Sequence, residues 1–248
     1  MSAEIGDHGI DSRALLGDFH TALWLPRFRE GECGDWSVKL LPVTAARGYW
    51  GRGYRTRGAV ALIGPFVESG AAWMSLVPME VESQEIGIAA AHGHTVVLGL
   101  GMGWCTANVA LNPAVERVTV LERDPDVVAL IAGLGIFDQL PAAVRAKIRI
   151  VEGDALTWRP GERVDCVHAD IWATFLAPGR WSEVQRIHAN IGSDMLYFWG
   201  QELELHRLDA GEPDLAALVA RTGLPLILDM RPDYRERIAE AARWWRTG

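Results

Sequence analysis

Two different hydrophobic periodicities divide this chain into two parts. From residue 95 onward, short apolar runs alternate with segments of helical period, and the runs occupy 95–98, 118–121, 148–151, 164–168 and 195–199. Strands that are apolar on both faces are typical of a parallel sheet covered by helices. Right-handed crossovers between such strands predict an α/β fold, with a Rossmann-like, doubly wound, mostly parallel sheet and helices on both faces.

The first 77 residues follow another pattern. Leu15, Leu16, Phe19 and Leu23 recur at helical spacing and predict a helical lead. Three β-prone runs, 36–43, 59–63 and 72–77, then alternate with glycine-rich turns and predict a small antiparallel sheet. Pro78 suits the first turn of a helix that runs to about residue 92. We therefore expect an N-terminal helix and β region over 1–77 and a Rossmann-like, ligand-binding domain over 78–248.

Composition excludes several classes of function. The net charge of −8 argues against a broad nucleic-acid surface, which needs a clustered positive field. No apolar run reaches the roughly 18 residues of a membrane span. The first twelve residues contain no apolar core typical of a signal peptide. We expect a cytoplasmic protein that binds neither nucleic acid nor membrane.

The clearest chemical signal is the glycine-rich segment after the first apolar run. Gly99, Gly101 and Gly103 stand at alternate positions, which lets the backbone turn tightly and approach a ligand without an intervening Cβ. A helix that begins at Gly103 presents free N–H groups to a carboxylate or a phosphate. The third glycine of a dinucleotide fingerprint would fall at Trp104, so the pattern disfavours NAD.

Acidic residues follow the next three apolar runs. Glu122 lies where its two carboxylate oxygens can accept hydrogen bonds from both hydroxyls of a ribose. Asp154 follows the turn residue Gly153 and can accept a hydrogen bond from an adenine amino group. Asp170 can bind an ammonium group or accept a proton from a nucleophile. The carboxyl ends of parallel strands share one edge of a sheet, so we expect these side chains to meet there.

Together these motifs resemble the class I S-adenosylmethionine (SAM)-dependent methyltransferases over about residues 73–199. The β-rich N-terminal part, the Met79-Glu80 pair and the segment 120–125 are similar to the spermidine synthase-like branch. The resemblance implies SAM as cofactor. The candidate cofactor-binding residues are Glu80, Gly99, Gly101, Met102, Gly103, Trp104, Glu122, Arg123, Gly153, Asp154, Ala155, Asp170 and Trp172.

Two departures from the spermidine synthase pattern favour methyl transfer. Met102 stands where those enzymes carry an aspartate, and the loss of that acid favours a ligand that keeps its carboxylate. Asp170 matches the first acid of their Asp-x-x-Asp-Pro motif, but Ala173 and Thr174 replace the second acid and the proline. We therefore expect methyl transfer from SAM to a small-molecule acceptor, with Asp170 as the catalytic residue.

Other interpretations of the same residues stay open. The main alternative is an aminopropyl or aminocarboxypropyl transferase; a SAM- or nucleotide-binding module and a dehydrogenase are further ones. Trp104 and Trp172 are candidates for cation–π contact with the sulfonium. Four aromatic residues of the N-terminal part are candidates for a lid over the acceptor, and this tryptophan-rich part is also a candidate homodimer contact. These four are Tyr49, Trp50, Tyr54 and Trp73.

Overall fold

The central feature of the fold is a five-stranded parallel sheet. The computed structural model describes residues 9–65, 72–209, 211, 214–229 and 231–245. The strands within these residues are β1 (Ile10–Asp11), β2 (Arg27–Phe28), β3 (Gly31–Cys33), β4 (Trp36–Leu41), β5 (Ala45–Arg47), β6 (Gly53–Arg55), β7 (Ala59–Ile63), β8 (Met74–Leu76), β9 (Gly93–Leu98), β10 (Val115–Glu122), β11 (Ile148–Glu152), β12 (Cys166–Ala169) and β13 (Met195–Phe198).

The helices precede and follow the strands of that sheet. In the described residues they are α1 (Ser12–Leu15), α2 (Pro78–Ala90), α3 (Trp104–Leu111), α4 (Pro125–Gly133), α5 (Ala142–Arg145), α6 (Arg180–Ile191), α7 (Gln201–Leu208), α8 (Leu215–Thr222) and α9 (Tyr234–Trp244). A short 3-10 turn, Phe137–Gln139, follows α4. Pro78 and Pro125 occupy first-turn positions, where a missing N–H costs no helical hydrogen bond. No described helix is long and apolar enough to cross a membrane.

Strand order in the sheet is β11-β10-β9-β12-β13, and every pair is parallel. Strands β10 and β11 therefore lie on one side of β9, and the later strands β12 and β13 lie on its other side. Val96, Val97 and Leu98 are successive residues of β9, and each is at most 1% exposed, so both faces of the sheet are covered. The predicted α/β fold with a doubly wound sheet is confirmed. Its switch point lies between β9 and β12.

A second, antiparallel sheet with the order β3-β4-β7-β8 packs beside the parallel one. Strands β3 and β4 contact α4. The indole Nε1–H of Trp36 donates to Asp124 Oδ2 at 2.7 Å, next to the start of α4. Apolar residues of both sheets share one hydrophobic core. Because of this packing, the C-terminal end of the N-terminal part lies at the edge of the parallel sheet where its strands end.

The helix near the N-terminus is much shorter than predicted, so this prediction of its length is wrong. Helix α1 is one turn long, although Leu16 and Phe19 are buried as their spacing suggested. The backbone beyond the turn bonds to the segment around β6 instead of continuing the helix. The Asp18 N–H donates to the Arg55 carbonyl at 3.0 Å, and the Arg57 N–H donates to the Leu15 carbonyl at 2.8 Å. Long-range backbone pairing thus replaces the local helix.

Candidate functional site

A cavity of about 1260 Å³, its open mouth included, lies at the carboxyl ends of β9, β10, β11 and β12. This is the edge of the sheet at which ligands bind in doubly wound folds. The structure places every candidate site residue of the sequence along this cavity. They are Glu80, Gly99, Gly101, Met102, Gly103, Trp104, Glu122, Arg123, Gly153, Asp154, Ala155, Asp170 and Trp172. The role of each in binding stays a prediction.

The glycine loop between β9 and α3 has left-handed backbone at each of its glycines, with φ of +91° at Gly99, +51° at Gly101 and +77° at Gly103. A Cβ at position 99 would collide with the backbone carbonyl of Asp170, and one at 101 would collide with the sulfur of Met74. The packing of the protein itself therefore requires glycine at positions 99 and 101. Helix α3 begins directly after the loop.

The carboxylate of Glu122 is held by backbone N–H groups of two loops. Oε2 accepts from Leu100 at 2.9 Å, while Oε1 accepts from Arg123 at 2.8 Å and from Asp124 at 3.0 Å. These bonds use three of the roughly four acceptor sites of a carboxylate. Oε2 keeps capacity for one further donor at the cavity. Glu122 lines the cavity, and its contact with the hydroxyls of a ribose stays a prediction.

The loop after β11 is tied to the same edge. The Gly153 N–H donates to the Glu122 carbonyl at 2.9 Å. Asp154 is exposed at the cavity, and its Oδ1 accepts from the Leu156 N–H at 2.8 Å, which closes an Asx turn. Its other carboxylate oxygen is available to a ligand donor such as an adenine amino group.

Two carboxyl groups, Glu80 and Asp170, lie in the wall of the cavity. Glu80 is 3% exposed, and its side-chain carboxyl makes no hydrogen bond or ion pair among the described residues. Burial and then repulsion by Asp170 raise the pKa of Glu80 well above its ordinary value. Burial also raises the pKa of Asp170, while a hydrogen bond from Gln84 and the charge of Arg180 act to lower this pKa. Neighbouring acids in a low-dielectric site resist joint ionisation, so the pair favours one proton.

Asp170 is held by a chain of side chains that the sequence analysis missed. Gln84 Nε2 donates to Asp170 Oδ2 at 2.7 Å, and Gln84 Oε1 lies 2.7 Å from His168 Nε2. Burial lowers the pKa of His168 to about 4, so the ring is neutral near pH 7 and its Nε2–H can donate to Gln84. That donation orients the Gln84 amide group toward Asp170. Gln84 carries no local sequence signal, because its partners Asp170 and His168 lie 86 and 84 positions away in the sequence.

Cys105 adjoins this chain. Its sulfur lies 3.3 Å from His168 Nε2, but burial raises the pKa of the thiol well above its ordinary value. A neutral thiol beside a neutral imidazole is not an activated nucleophile. The pair therefore belongs to the packing of the cavity wall.

Five tryptophans line the cavity: Trp36, Trp73, Trp104, Trp172 and Trp199. Trp36 and Trp73 meet edge to face, with ring centroids 5.9 Å apart. Trp172 is fixed by donation from its Nε1–H to Glu183 Oε2 at 2.6 Å. Trp104 is completely buried, and its Nε1–H has no acceptor among the described residues. The sequence analysis missed Trp36 and Trp199, since only tertiary packing brings them here.

The predicted aromatic lid is brought to the cavity only in part. Trp73 lines the cavity, whereas Tyr49, Trp50 and Tyr54 do not. The Tyr49 hydroxyl instead donates to the buried Glu202 at 3.0 Å, and that of Tyr54 donates to Glu82 at 2.8 Å. These hydrogen bonds direct the rings toward α7 and α2.

Comparisons with known proteins give partial matches to solved structures. No family model matches the chain, and no curated protein matches it in sequence. A glycopeptide N-methyltransferase, MtfA, complexed with S-adenosyl-L-homocysteine is 22% identical, with 45% of this chain and 43% of that chain covered and a TM-score of 0.37. The DhpI–SAH complex is 16% identical, with 44% and 48% covered and a TM-score of 0.33.

A third solved structure is CalS10 with bound SAM, an amino pentose methyltransferase from Micromonospora echinaspora. It is 23% identical, with 49% of this chain and 48% of that chain covered and a TM-score of 0.33. The matched part thus spans less than half the length of each of these three chains. Similarity at this level does not support a functional assignment. The function proposed below is therefore argued from the geometry of the cavity.

Proposed function

We propose that the protein is a SAM-dependent methyltransferase that acts on a small-molecule acceptor. The main support for this proposal is the position of Glu122. Its carboxylate is bonded to the glycine loop through Leu100 and still offers an acceptor at the cavity. An acid in this place suits the ribose of an adenosine, while Asp154 on the next loop suits the adenine amino group.

The part of the cavity beside the glycine loop fits the amino-acid end of SAM. The first N–H groups of α3 face a carboxylate favourably because of the helix dipole. Position 102 is a methionine, so it presents no acid that would repel a carboxylate. These features favour intact SAM over its decarboxylated form.

When bound, SAM supplies a methyl group on a sulfonium, which is transferred by in-line displacement. The residues of this chain would position the acceptor and exclude water from it. Trp172 lines the cavity, is 8% exposed and would stabilise positive charge through its ring, whereas Trp104 is completely buried. Asp170, held by Gln84, would accept the proton that the acceptor loses.

Transfer of the aminopropyl or aminocarboxypropyl arm is the second candidate. The acidic pair Glu80 and Asp170 favours it, because two carboxyl groups suit a cationic acceptor as well as a cationic donor chain. Transfer of the arm requires the acceptor to reach the propyl carbon instead of the methyl carbon.

Calorimetry with SAM, decarboxylated SAM and NADH separates these candidates. We expect SAM to bind at least about tenfold more tightly than the decarboxylated form, a difference of about 1.4 kcal/mol. Preference for decarboxylated SAM would support aminopropyl transfer. Binding of NADH alone would contradict both candidates and support a dehydrogenase.

A further inference from the structure

Glu80 has no partner within the protein that accounts for its burial. The residue is 3% exposed and lines the cavity, and its side-chain carboxyl forms no hydrogen bond or ion pair with another described residue. A carboxyl group taken out of water without a donor is costly, so such groups normally have a partner. Since this group borders a cavity, a ligand there can provide a donor in place of water.

The surroundings of Glu80 determine the chemistry of that ligand. Asp170 lies in the same wall, and its charge disfavours ionisation of Glu80. The charge of Arg180 attracts Asp170, but the Nη groups of Arg180 donate to the carbonyls of Thr174, Phe175 and Trp199, and its Nε–H has no acceptor among the described residues. The two carboxyl groups therefore lack a cationic partner in hydrogen-bond contact among the described residues.

We propose that Glu80 and Asp170 together bind the ammonium group of the acceptor, so that the acceptor is a primary amine with an apolar or aromatic body. This inference rests on the proposed function. An ammonium group has N–H donors for both carboxyl groups, and its charge offsets their mutual repulsion. The tryptophans of the cavity supply flat apolar surface for the rest of the molecule.

The same pair accounts for activation of the amine. Asp170, which accepts the Gln84 N–H, takes one proton from the ammonium and leaves a neutral amine with a free lone pair. The amine nitrogen then forms a bond to the methyl carbon as the carbon–sulfur bond breaks, and that electron pair stays on sulfur. The product is a methylated ammonium, a thioether and a protonated Asp170, so atoms and charges balance. Glu80 holds the amine in place during the transfer.

Calorimetry on the full chain tests this assignment in two steps. The first step measures S-adenosylhomocysteine binding, on which the proposed function depends. The second step titrates benzylamine, phenethylamine and tryptamine, and in parallel the corresponding alcohols, into protein saturated with S-adenosylhomocysteine. We expect at least one amine to bind about tenfold or more tightly than its alcohol. Repetition in buffers of different ionisation enthalpy should show proton release on amine binding, because the cation displaces the proton that the acidic pair shares.

The deciding variant is Glu80→Gln, which keeps the shape of the side chain and removes its charge. It should weaken amine binding about tenfold or more and abolish the proton release. Because the proposal assigns Glu80 to the acceptor rather than to the cofactor, for which the sequence made it a candidate, S-adenosylhomocysteine binding should change less than about twofold. Glu85→Gln is the matched control, since Glu85 lies on the same helix, outside the cavity wall, and contacts Thr21. It should leave amine binding unchanged. Circular dichroism and thermal unfolding confirm that both variants fold.

Three outcomes would overturn the proposal. In the first, the amines and the alcohols would bind equally or not at all. In the second, Glu80→Gln would leave amine binding unchanged. In the third, Glu80→Gln would weaken S-adenosylhomocysteine binding instead of amine binding. The last result would assign the acidic pair to the ammonium group of the donor. Each of these leaves the proposed function intact, whereas failure of S-adenosylhomocysteine and SAM to bind at all contradicts the proposed function itself.

Discussion

Glu122 Oε2 accepts a hydrogen bond from the Leu100 N–H at 2.9 Å, which joins the carboxyl end of β10 to the glycine loop after β9. One side chain thus fixes the shape of the loop and faces the cavity at the same time. A shift of the glycine loop would therefore also move the carboxylate that we expect to bind the sugar of the ligand.

Loss of this side chain should weaken SAM binding. Glu122→Ala removes a charged acceptor, and we expect a loss of roughly 1–3 kcal/mol, which corresponds to about a 5- to 150-fold rise in Kd. Calorimetry measures the change. Glu116→Ala, on the exposed face of the same strand, should leave the Kd unchanged. If a folded Glu122→Ala binds SAM as the parent does, the carboxylate does not contact the ligand.

Alanine at Gly99 should destabilise the fold. The φ of +91° is strained for any L residue, and the added Cβ would meet the backbone of the Asp170 loop, which cannot move aside like a flexible side chain. We expect a loss of at least roughly 1–3 kcal/mol in the free energy of unfolding, measured in urea. Gly161→Ala is the control, because no atom lies within 4 Å of its Cβ. Equal stability of the two variants would contradict the loop geometry.

The hydrogen bond from Gln84 should tune the titration of Asp170. Burial raises the pKa of Asp170 to about 7, and the Gln84 amide opposes that rise. Gln84→Met removes the donor, so the pKa should move higher still. Carbon-13 signals of labelled aspartate carboxyls report this pKa, and their comparison with Asp170→Asn identifies the resonance. Gln139→Met, whose parent side chain bonds to Arg27, should not shift the signal. A lower pKa in Gln84→Met would contradict the contact.

Asp170 should also make stability depend on pH. Its folded-state pKa is raised to about 7, whereas an unfolded aspartate has a pKa of about 3.9. Protonated Asp170 therefore favours the fold, and this contribution is complete below about pH 4 and lost as pH rises through about 7. Asp170→Asn lacks this titration. Relative to the parent, the variant should gain on the order of 1–4 kcal/mol above pH 7, and the gain should fade toward pH 4. Urea unfolding across this range measures the difference, and a constant difference would refute it.

The bond from Trp36 to Asp124 should stabilise the contact between the two sheets. Trp36→Phe removes the indole donor from a charged acceptor and leaves a small gap, for an expected loss of roughly 1–3 kcal/mol. Trp244→Phe is a matched control. Trp244 is 46% exposed and its Nε1–H bonds to Glu240 at the surface, so its loss should cost less than about 0.5 kcal/mol. Similar losses in both variants would show that the sheets do not depend on this bond.

Local sequence patterns predicted much of the fold. The five apolar runs correspond to β9 to β13, and the strands over 36–43, 59–63 and 72–77 are present in the antiparallel sheet. Helix α4 begins after Asp124, whose side chain accepts from the Asp126 N–H at 3.0 Å as a cap. The exceptions include α1, which long-range backbone bonds shorten, and α7. Glu202 of α7 is completely buried and bonded by Tyr49 and Tyr234, contacts that no periodicity contains.

The sequence by itself determined the order of the elements, the glycine loop and the acids that follow each strand, because apolar period, turn chemistry and strand ends are properties of neighbouring residues. Only the tertiary structure decided what meets at the cavity. Gln84 reaches Asp170 across 86 positions of sequence, and Trp36 reaches Asp124 across 88. Such contacts arise from the packing of whole elements against one another. For the same reason, the missing partner of Glu80 became visible only once the buried wall around it was known.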